Sequence, residues 1–271
     1  MKKIAGSLMV LAGVCGACAY WVDLVNFTDL SKGFVAVGSV WVRYGILMGL
    51  LAAGLLASRM ASRRPAALEQ ACVPLGLAAW LCAAVFAGLG ALQLAVWYLS
   101  GGSLSVQASS LLTFALGVLA LFCAWWLGAA GRLWLSGAPR APRGMAVGIL
   151  GSLYFLLLTC ARFATNASSL YRFAQTTETF SALAALVLVS LLVRVCFFPE
   201  SGCGRKLFWA GIWAFYLCTC CEVPQAAVRW MAGQTQMGDL LTSLTLGFVG
   251  LLGAVLALAS LSGEVAADSE S

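Results

Sequence analysis

Histidine is absent from this sequence, and charged residues are scarce. The absence of histidine excludes His-dependent general acid–base catalysis, Ser-His-Asp triads and His-ligated metal sites. Only 10% of the 271 residues are charged and 62% are hydrophobic, whereas roughly 45–50% of the residues in an ordinary soluble domain are apolar. No stretch is left over for a soluble catalytic domain. The composition therefore indicates a polytopic membrane protein.

Common motifs of enzyme and nucleic-acid chemistry are also missing. The sequence has no P-loop or glycine-rich nucleotide motif. Its basic residues are scattered singly and in short groups, so they form no stripe that would bind nucleic acid. An intramembrane aspartyl protease needs two aspartates at mid-bilayer, but Asp23 and Asp239 fall near the ends of apolar runs. We therefore expect a protein that is not an enzyme and has no cofactor, no metal and no nucleic-acid partner.

What the sequence does contain is a series of long apolar runs. Each is long enough, as a helix, to cross a hydrocarbon core of roughly 30 Å, which takes about 20 residues. The predicted fold class is all-α, a polytopic integral membrane protein of about eight transmembrane helices. The predicted helices span residues 4–22, 34–57, 72–98, 109–130, 145–160, 179–198, 207–221 and 240–262.

The predicted domain organisation is one transmembrane bundle over residues 1–263. Possible halves, 1–130 and 145–263, are joined by a basic loop rich in proline and glycine at 131–144. The acidic, small-residue segment 264–271 is predicted to be a disordered tail. The first apolar run follows Lys2 and Lys3 and contains Ala17-Cys18-Ala19, so a cleaved signal peptide is the alternative to a first membrane helix.

Lysine and arginine predict the orientation. With the N-terminus inside, eleven of the 16 basic residues fall on the cytoplasmic side of the predicted helices and five on the outer side. Both termini are therefore predicted to be cytoplasmic. Short loops and the Lys-Lys start are typical of a bacterial protein, which places the chain in the plasma membrane, taken to be a bacterial inner membrane.

Charged residues of both signs gather near the outer ends of the predicted helices. Because the guanidinium fork suits carboxylate or phosphate ligands, these residues predict an outward-facing polar vestibule that binds a small-molecule ligand. The alternative is that they lie in water or among lipid headgroups and cap helices. The candidate vestibule residues are Arg43, Arg162, Arg172, Glu178, Glu222, Arg229 and Asp239.

Arg43 interrupts the second apolar run. The second helix either begins late, near Val40, or carries this arginine inside the membrane, which costs about 2.5–3.5 kcal/mol at the bilayer centre on insertion scales. A cost of that size implies a carboxylate partner. Asp23 and Glu222 are the candidates at a similar depth.

Cysteines form a second candidate group. Cys15-Gly16-Ala17-Cys18 has the C-x-x-C spacing of thiol oxidoreductases. The alternative is that cysteine serves here as a small apolar packing residue. The remote redox candidates, all in the outer halves of predicted helices, are Cys15, Cys18, Cys160, Cys218, Cys220 and Cys221.

The vestibule favours a small-molecule permease or a transport-associated membrane subunit. The alternatives are a non-enzymatic membrane sensor or an assembly and scaffold protein and, more remotely, a membrane thiol-disulfide oxidoreductase. The expected partners are the lipid bilayer and a small-molecule ligand, with a homo-oligomer or a membrane partner subunit as further possibilities.

Overall fold

The computed structural model describes residues 2–29, 34–63, 68, 71–99, 108–137, 144–165, 171–198 and 202–261. Within these residues, eight helices are long and apolar enough to span a membrane, which confirms the predicted all-α class and the predicted number of helices. The acidic tail 264–271 and residues 138–143 of the basic loop lie outside the described residues. The helices are α1 (Lys2–Phe27), α2 (Val40–Ala57), α3 (Val73–Leu99), α4 (Ala108–Ser136), α5 (Met145–Thr165), α6 (Phe173–Phe197), α7 (Gly204–Met231) and α8 (Met237–Ala259).

Short connections show which helix ends lie together. Two-residue strands, β1 (Thr28–Asp29) and β2 (Phe34–Val35), pair antiparallel between α1 and α2. After α2 the chain makes a 3₁₀ turn, and the next residues bond to other helices: the Ser62 amide donates to the Ser260 carbonyl at 3.0 Å, and the Gly204 amide donates to the Arg63 carbonyl at 3.1 Å. The end of α2, the start of α7 and the end of α8 therefore share one end of the bundle.

Two helix boundaries differ from the prediction in ways that matter for the site. α6 begins at Phe173 instead of 179, and α7 continues to Met231 instead of ending at 221. The segment 222–231, predicted as a loop because it is polar, is helical because its polar side chains find partners on other helices inside the bundle. α2 begins at Val40, the later of its two expected starts, so Arg43 lies in its first turn.

The helices differ strongly in how deeply they are buried. Buried residues make up 72% of the spanning window of α7 and 61% of that of α8, but only 11% of that of α1 and 17% of that of α2. α7 and α8 are therefore the centre of the bundle, and they pack against each other and against α3 and α6 around a core of aromatic and aliphatic side chains. α1 and α2 are peripheral helices with most of their apolar surface exposed.

Close packing of α7 against α8 depends on two glycines. A Cβ added to Gly211 would overlap the carbonyl oxygen of Gly253, and a Cβ added to Gly253 would lie 2.7 Å from the carbonyl oxygen of Gly211. Since lipid tails are as apolar as leucine, no hydrophobic force drives helices together inside a membrane, and small residues that permit close van der Waals contact take its place.

Candidate functional site

A cavity of about 890 Å³ lies where α3, α4, α5, α6, α7 and α8 meet at one end of the bundle. We call it the vestibule. Polar side chains from all six helices line it, and both signs of charge are present. One such residue from each helix in chain order is Gln93, Thr113, Arg162, Glu178, Arg229 and Asp239.

The floor of the vestibule is an ion pair between α5 and α7. Both guanidinium NH2 groups of Arg162 donate to the carboxylate of Glu222, one of them to Oε2 at 2.9 Å, so the contact is bidentate. Glu222 is 1% exposed. Hydroxyl groups from two further helices complete its coordination: Ser181 of α6 donates to Oε2, and Ser243 of α8 donates to Oε1 at 2.9 Å. Four helices thus converge on one carboxylate.

The Arg162 guanidinium is also held by α6. Its Nη1 atom donates to the backbone carbonyl oxygen of Glu178 at 2.5 Å and to the Ser181 hydroxyl at 3.1 Å. A guanidinium that donates to a carboxylate, a carbonyl and a hydroxyl at once has a fixed orientation, because its fork is planar. The cation is only 14% exposed and is fully engaged, which is the condition under which a largely buried charge is tolerated.

A second ion pair lies nearer the mouth of the vestibule. Arg229 of α7 donates to the Glu178 carboxylate of α6, which also accepts from the Gln225 amide. The side-chain oxygen Oε1 of Gln225 in turn accepts from the Tyr20 hydroxyl of α1 at 3.2 Å and from the Thr177 hydroxyl at 3.4 Å. A continuous hydrogen-bond chain therefore runs from α1 through α7 to α6.

The local structure of α7 explains how it reaches both ion pairs. Residues Phe215–Glu222 are π-helical, and an α-helical segment, Val223–Met231, follows. π-helical stretches are rare in proteins, and those that occur often lie at functional sites. Glu222, Gln225 and Arg229 are spaced by three and four residues, so they lie on one face of the helix, and that face points at α5 and α6.

The structure brings together most of the residues singled out from the sequence. Arg162, Glu178, Arg229 and Asp239 line the vestibule, and Glu222 lies directly beneath it. Arg172 precedes the first turn of α6 and donates to the side-chain oxygen Oε1 of Gln175 at 3.3 Å. Because Gln175 lines the vestibule, Arg172 lies at its edge.

Arg43 lies outside the vestibule. Its guanidinium donates to Asp23 Oδ1 at 2.8 Å and to the Thr28 hydroxyl at 3.2 Å. Asp23 is thus the partner among the two candidates, whereas Glu222 pairs with Arg162. The Arg43–Asp23 ion pair, the third of the structure's described residues, borders a separate cavity between α1 and α2.

The six candidate redox cysteines form no disulfide in the described part of the chain. Cys15, Cys18 and Cys160 are exposed on the outside of the bundle, and Cys218 and Cys220 are buried. The Cys218 thiol donates to the Ser181 carbonyl at 3.2 Å. Such contacts are those of a small packing residue with a weak donor. Cys221, the remaining redox candidate, is partly buried.

Sequence reasoning missed the two serine ligands of Glu222. Ser181 follows Glu178 by three residues and Ser243 follows Asp239 by four, so each shares a helix face with a charged residue. That spacing was the available signal. It was obscured because serine is common in membrane helices, where its hydroxyl usually bonds to the backbone one turn earlier. The Ser181 hydroxyl also lies 2.7 Å from the Glu178 carbonyl, so its single hydrogen is shared between that carbonyl and the Glu222 carboxylate.

Other sources of identity add nothing to this geometry. Within the described residues no group of three or more His, Cys, Asp or Glu side chains could hold a metal ion. Comparisons with protein-family models, with curated proteins and with solved structures find no match to this chain. The vestibule and its ion pairs are therefore the observations that bear on function.

Proposed function

We propose that the protein is a small-molecule permease or a transport-associated membrane subunit whose vestibule binds a small polar solute. The observation that carries the proposal is the buried Arg162–Glu222 ion pair at the floor of a cavity lined by both signs of charge. Ionisable groups inside membrane helices are expensive, and they commonly mark solute or ion pathways. A cavity volume of about 890 Å³ is within the range of roughly 300–1,000 Å³ usual for small-ligand sites.

The chemistry of the lining favours a solute with both donor and acceptor groups. Arg229 and Glu178 pair with each other at the mouth. A solute that carries an acidic and a basic group would pair with both side chains, so two ion pairs with the solute would replace the one between Arg229 and Glu178. The Gln93 carbonyl oxygen is buried at the cavity wall and has no hydrogen-bond partner among the described residues. An N–H or O–H group of a solute would satisfy it.

The orientation belongs to the same proposal. The excess of lysine and arginine in alternate turns favours both termini in the cytoplasm of a bacterial plasma membrane, and the vestibule then opens to the outside. A fluorescent protein that folds only in the cytoplasm, fused after Ser271, tests this orientation. We expect fluorescence in intact cells. A fusion that is expressed but not fluorescent would place the C-terminus on the outside.

Transport requires the floor to open. Beneath Glu222 the described core is apolar, with Cys218, Ala214 and Leu246 among its fully buried residues. The vestibule is therefore closed toward the other side. We propose that α5 and α6 move relative to α7 and α8, which separates Arg162 from Glu222 and exchanges their contacts for solute or water, as in alternating access.

The same apolar floor favours a second candidate, a membrane sensor or assembly protein. A sensor needs a binding cavity but no path, and the ion pairs of the vestibule are already satisfied within the protein. The two candidates differ in one observable: a permease moves the solute across a membrane, whereas a sensor binds it without flux.

The deciding experiment has two steps. Purified protein is first screened by thermal unfolding against monocarboxylates, zwitterions, amines and polyols, and we expect one class to raise the unfolding temperature. Protein in liposomes is then assayed for uptake of that solute. Arg229→Gln should abolish the response, while Arg194→Gln, the same change at an exposed position of α6, should preserve it. Binding without uptake favours the sensor, and the absence of any response refutes both.

A further inference from the structure

The second cavity, the α1–α2 cleft, has a volume of about 570 Å³ and a largely apolar lining. Two of its wall residues, Val42 and Ile46, are 61% and 62% exposed, so the wall continues into the surface that faces the bilayer. Its inner wall is Tyr216 of α7 and Phe173 of α6. The cleft is therefore an apolar slot between the membrane and the bundle.

Small residues on α1 form one wall of the slot, and Gly13 lets that wall pack against the Tyr216 ring, which a Cβ at this position would overlap. Gly13, Gly16 and Ala19 line it at intervals of three residues, so they share one face of the helix. A Cβ on Gly16 would still lie 3.8 Å from the Leu50 side chain of α2. At Gly16 this is an ordinary van der Waals distance, so the helices approach closely there, and the room for a hydrocarbon chain is the cavity itself.

The outer end of the cleft is polar and incompletely satisfied. Asp23 uses Oδ1 to accept from Arg43, but its Oδ2 atom is buried and has no hydrogen-bond partner among the described residues. A buried carboxylate oxygen without a donor carries an uncompensated desolvation cost. A donor supplied from outside the chain would remove that cost, and a carboxylate favours a cationic donor.

We propose that the α1–α2 cleft binds a bilayer phospholipid whose headgroup carries a primary amine. One acyl chain lies between α1 and α2, the ammonium group donates to Asp23 Oδ2, and the phosphate lies against the Arg43 guanidinium. Asp23 is four residues from the end of α1, which is about 6 Å along the helix axis, the depth of a headgroup. This inference is independent of the solute proposed for the vestibule.

Charge complementarity selects the amine over other headgroups. A phosphatidylglycerol would place its phosphate near Arg43 but would leave the Asp23 oxygen without a cation. A choline headgroup is cationic but has no N–H to donate. An ethanolamine headgroup has both a phosphate and three N–H donors, so it matches the neutral Asp23–Arg43 pair group for group.

Native mass spectrometry of the protein from nanodiscs tests the proposal. The nanodiscs contain phosphatidylethanolamine, phosphatidylglycerol and phosphatidylcholine in equal amounts with identical chains. We expect one retained phosphatidylethanolamine per protein, and Asp23→Asn should weaken its retention about tenfold, the usual effect of losing one charge-assisted hydrogen bond. Asp239→Asn, the same change in the vestibule, should leave retention unaltered.

A second pair of variants tests the slot without touching its charges. Gly16→Leu fills the cleft and should reduce retention of phosphatidylethanolamine by a similar factor, whereas Gly45→Leu should have no effect, because nothing lies within 4 Å of a Cβ at Gly45. Equal retention of the three lipids, or retention unchanged in both Asp23→Asn and Gly16→Leu, would overturn the proposal. A dimer whose interface covers the cleft and excludes lipid would overturn it as well.

Discussion

The two cavities of this protein place the same kind of ion pair in opposite settings. In the vestibule, the Arg162–Glu222 pair is enclosed by four helices and receives two serine hydroxyls. In the α1–α2 cleft, the Arg43–Asp23 pair lies between two peripheral helices, and Asp23 is 27% exposed. The first pair is integral to the bundle. The second lies between peripheral helices, where Asp23 Oδ2 has no hydrogen-bond partner among the described residues.

The comparison indicates that the burial of the carboxylate determines how much an ion pair contributes to the stability of the fold. A buried charge whose partner is removed has no water to replace that partner. A partly exposed charge regains solvent or lipid headgroups at little cost. Four changes test this difference, beginning with the largest expected effect.

The largest difference in stability between the two cavities should appear when one partner of each ion pair is removed. Arg162→Ala leaves the Glu222 carboxylate buried and unpaired, and we expect it to lower the free energy of unfolding by about 3–5 kcal/mol. Arg43→Ala should lower it by about 1 kcal/mol or less. Unfolding titrations in mixed micelles measure both, and equal losses would show that the difference in burial has no energetic consequence.

Glycine substitutions compare the packing around the two cavities. Gly253→Ala places a methyl group 2.7 Å from the Gly211 carbonyl oxygen, which forces α7 and α8 apart, and overpacking of this kind costs about 1–3 kcal/mol. Gly45→Ala on α2 meets no atom within 4 Å and should change stability by about 0.5 kcal/mol or less. The same titrations report both, and a neutral Gly253→Ala would contradict the close contact of α7 with α8.

Replacing both members of the buried pair should separate stability from function. In Arg162→Leu combined with Glu222→Leu no charge is left unpaired, so we expect stability within about 1 kcal/mol of the original protein. The vestibule then loses its charged floor, and solute uptake or solute-induced stabilisation should disappear. A double variant that keeps the solute response would assign the pair a purely structural role.

The smallest effect should come from the hydrogen bond that links the two cavities. Tyr20 lines the cleft and donates to Gln225, which contacts the vestibule residue Glu178. Tyr20→Phe should cost about 0.6 kcal/mol, the average for a side-chain hydrogen bond between membrane helices. Tyr44→Phe is the matched control, since the Tyr44 hydroxyl has no hydrogen-bond partner among the described residues. A larger loss at Tyr44 would contradict this assignment.

Sequence reasoning was most successful where one physical quantity decides the outcome. Apolar length alone predicts the eight helices, because a continuous run of about 20 apolar residues spans the hydrocarbon core and satisfies its own backbone as a helix. The scarcity of charge also singled out the charged residues near the helix ends, because a charge inside a membrane helix is costly and needs a partner. The approximate depth of Arg43 and Asp23 was enough to identify them as candidate partners.

What could not be predicted depends on packing between helices. Arg162 and Glu222 are 60 residues apart, and no spacing within one helix indicates that they meet. The polarity of 222–231 suggested a loop because its partners lie on other helices, and the separation of Arg43 from the vestibule follows from where α1 and α2 pack. These facts belong to tertiary structure.

The π-helical segment Phe215–Glu222 gives α7 a property that its neighbours lack. A helix of uniform pitch has a single angular phase from end to end, so turning one face turns all of them. Here the wide turns set Gln225 and Arg229 at a phase of their own relative to Leu207 and Phe208 at the opposite end of the helix. Deleting one residue from the segment would rotate the end that carries Gln225 and Arg229 by about 100° relative to the end that carries Leu207 and Phe208, so this segment determines which helices the Gln225–Arg229 face meets.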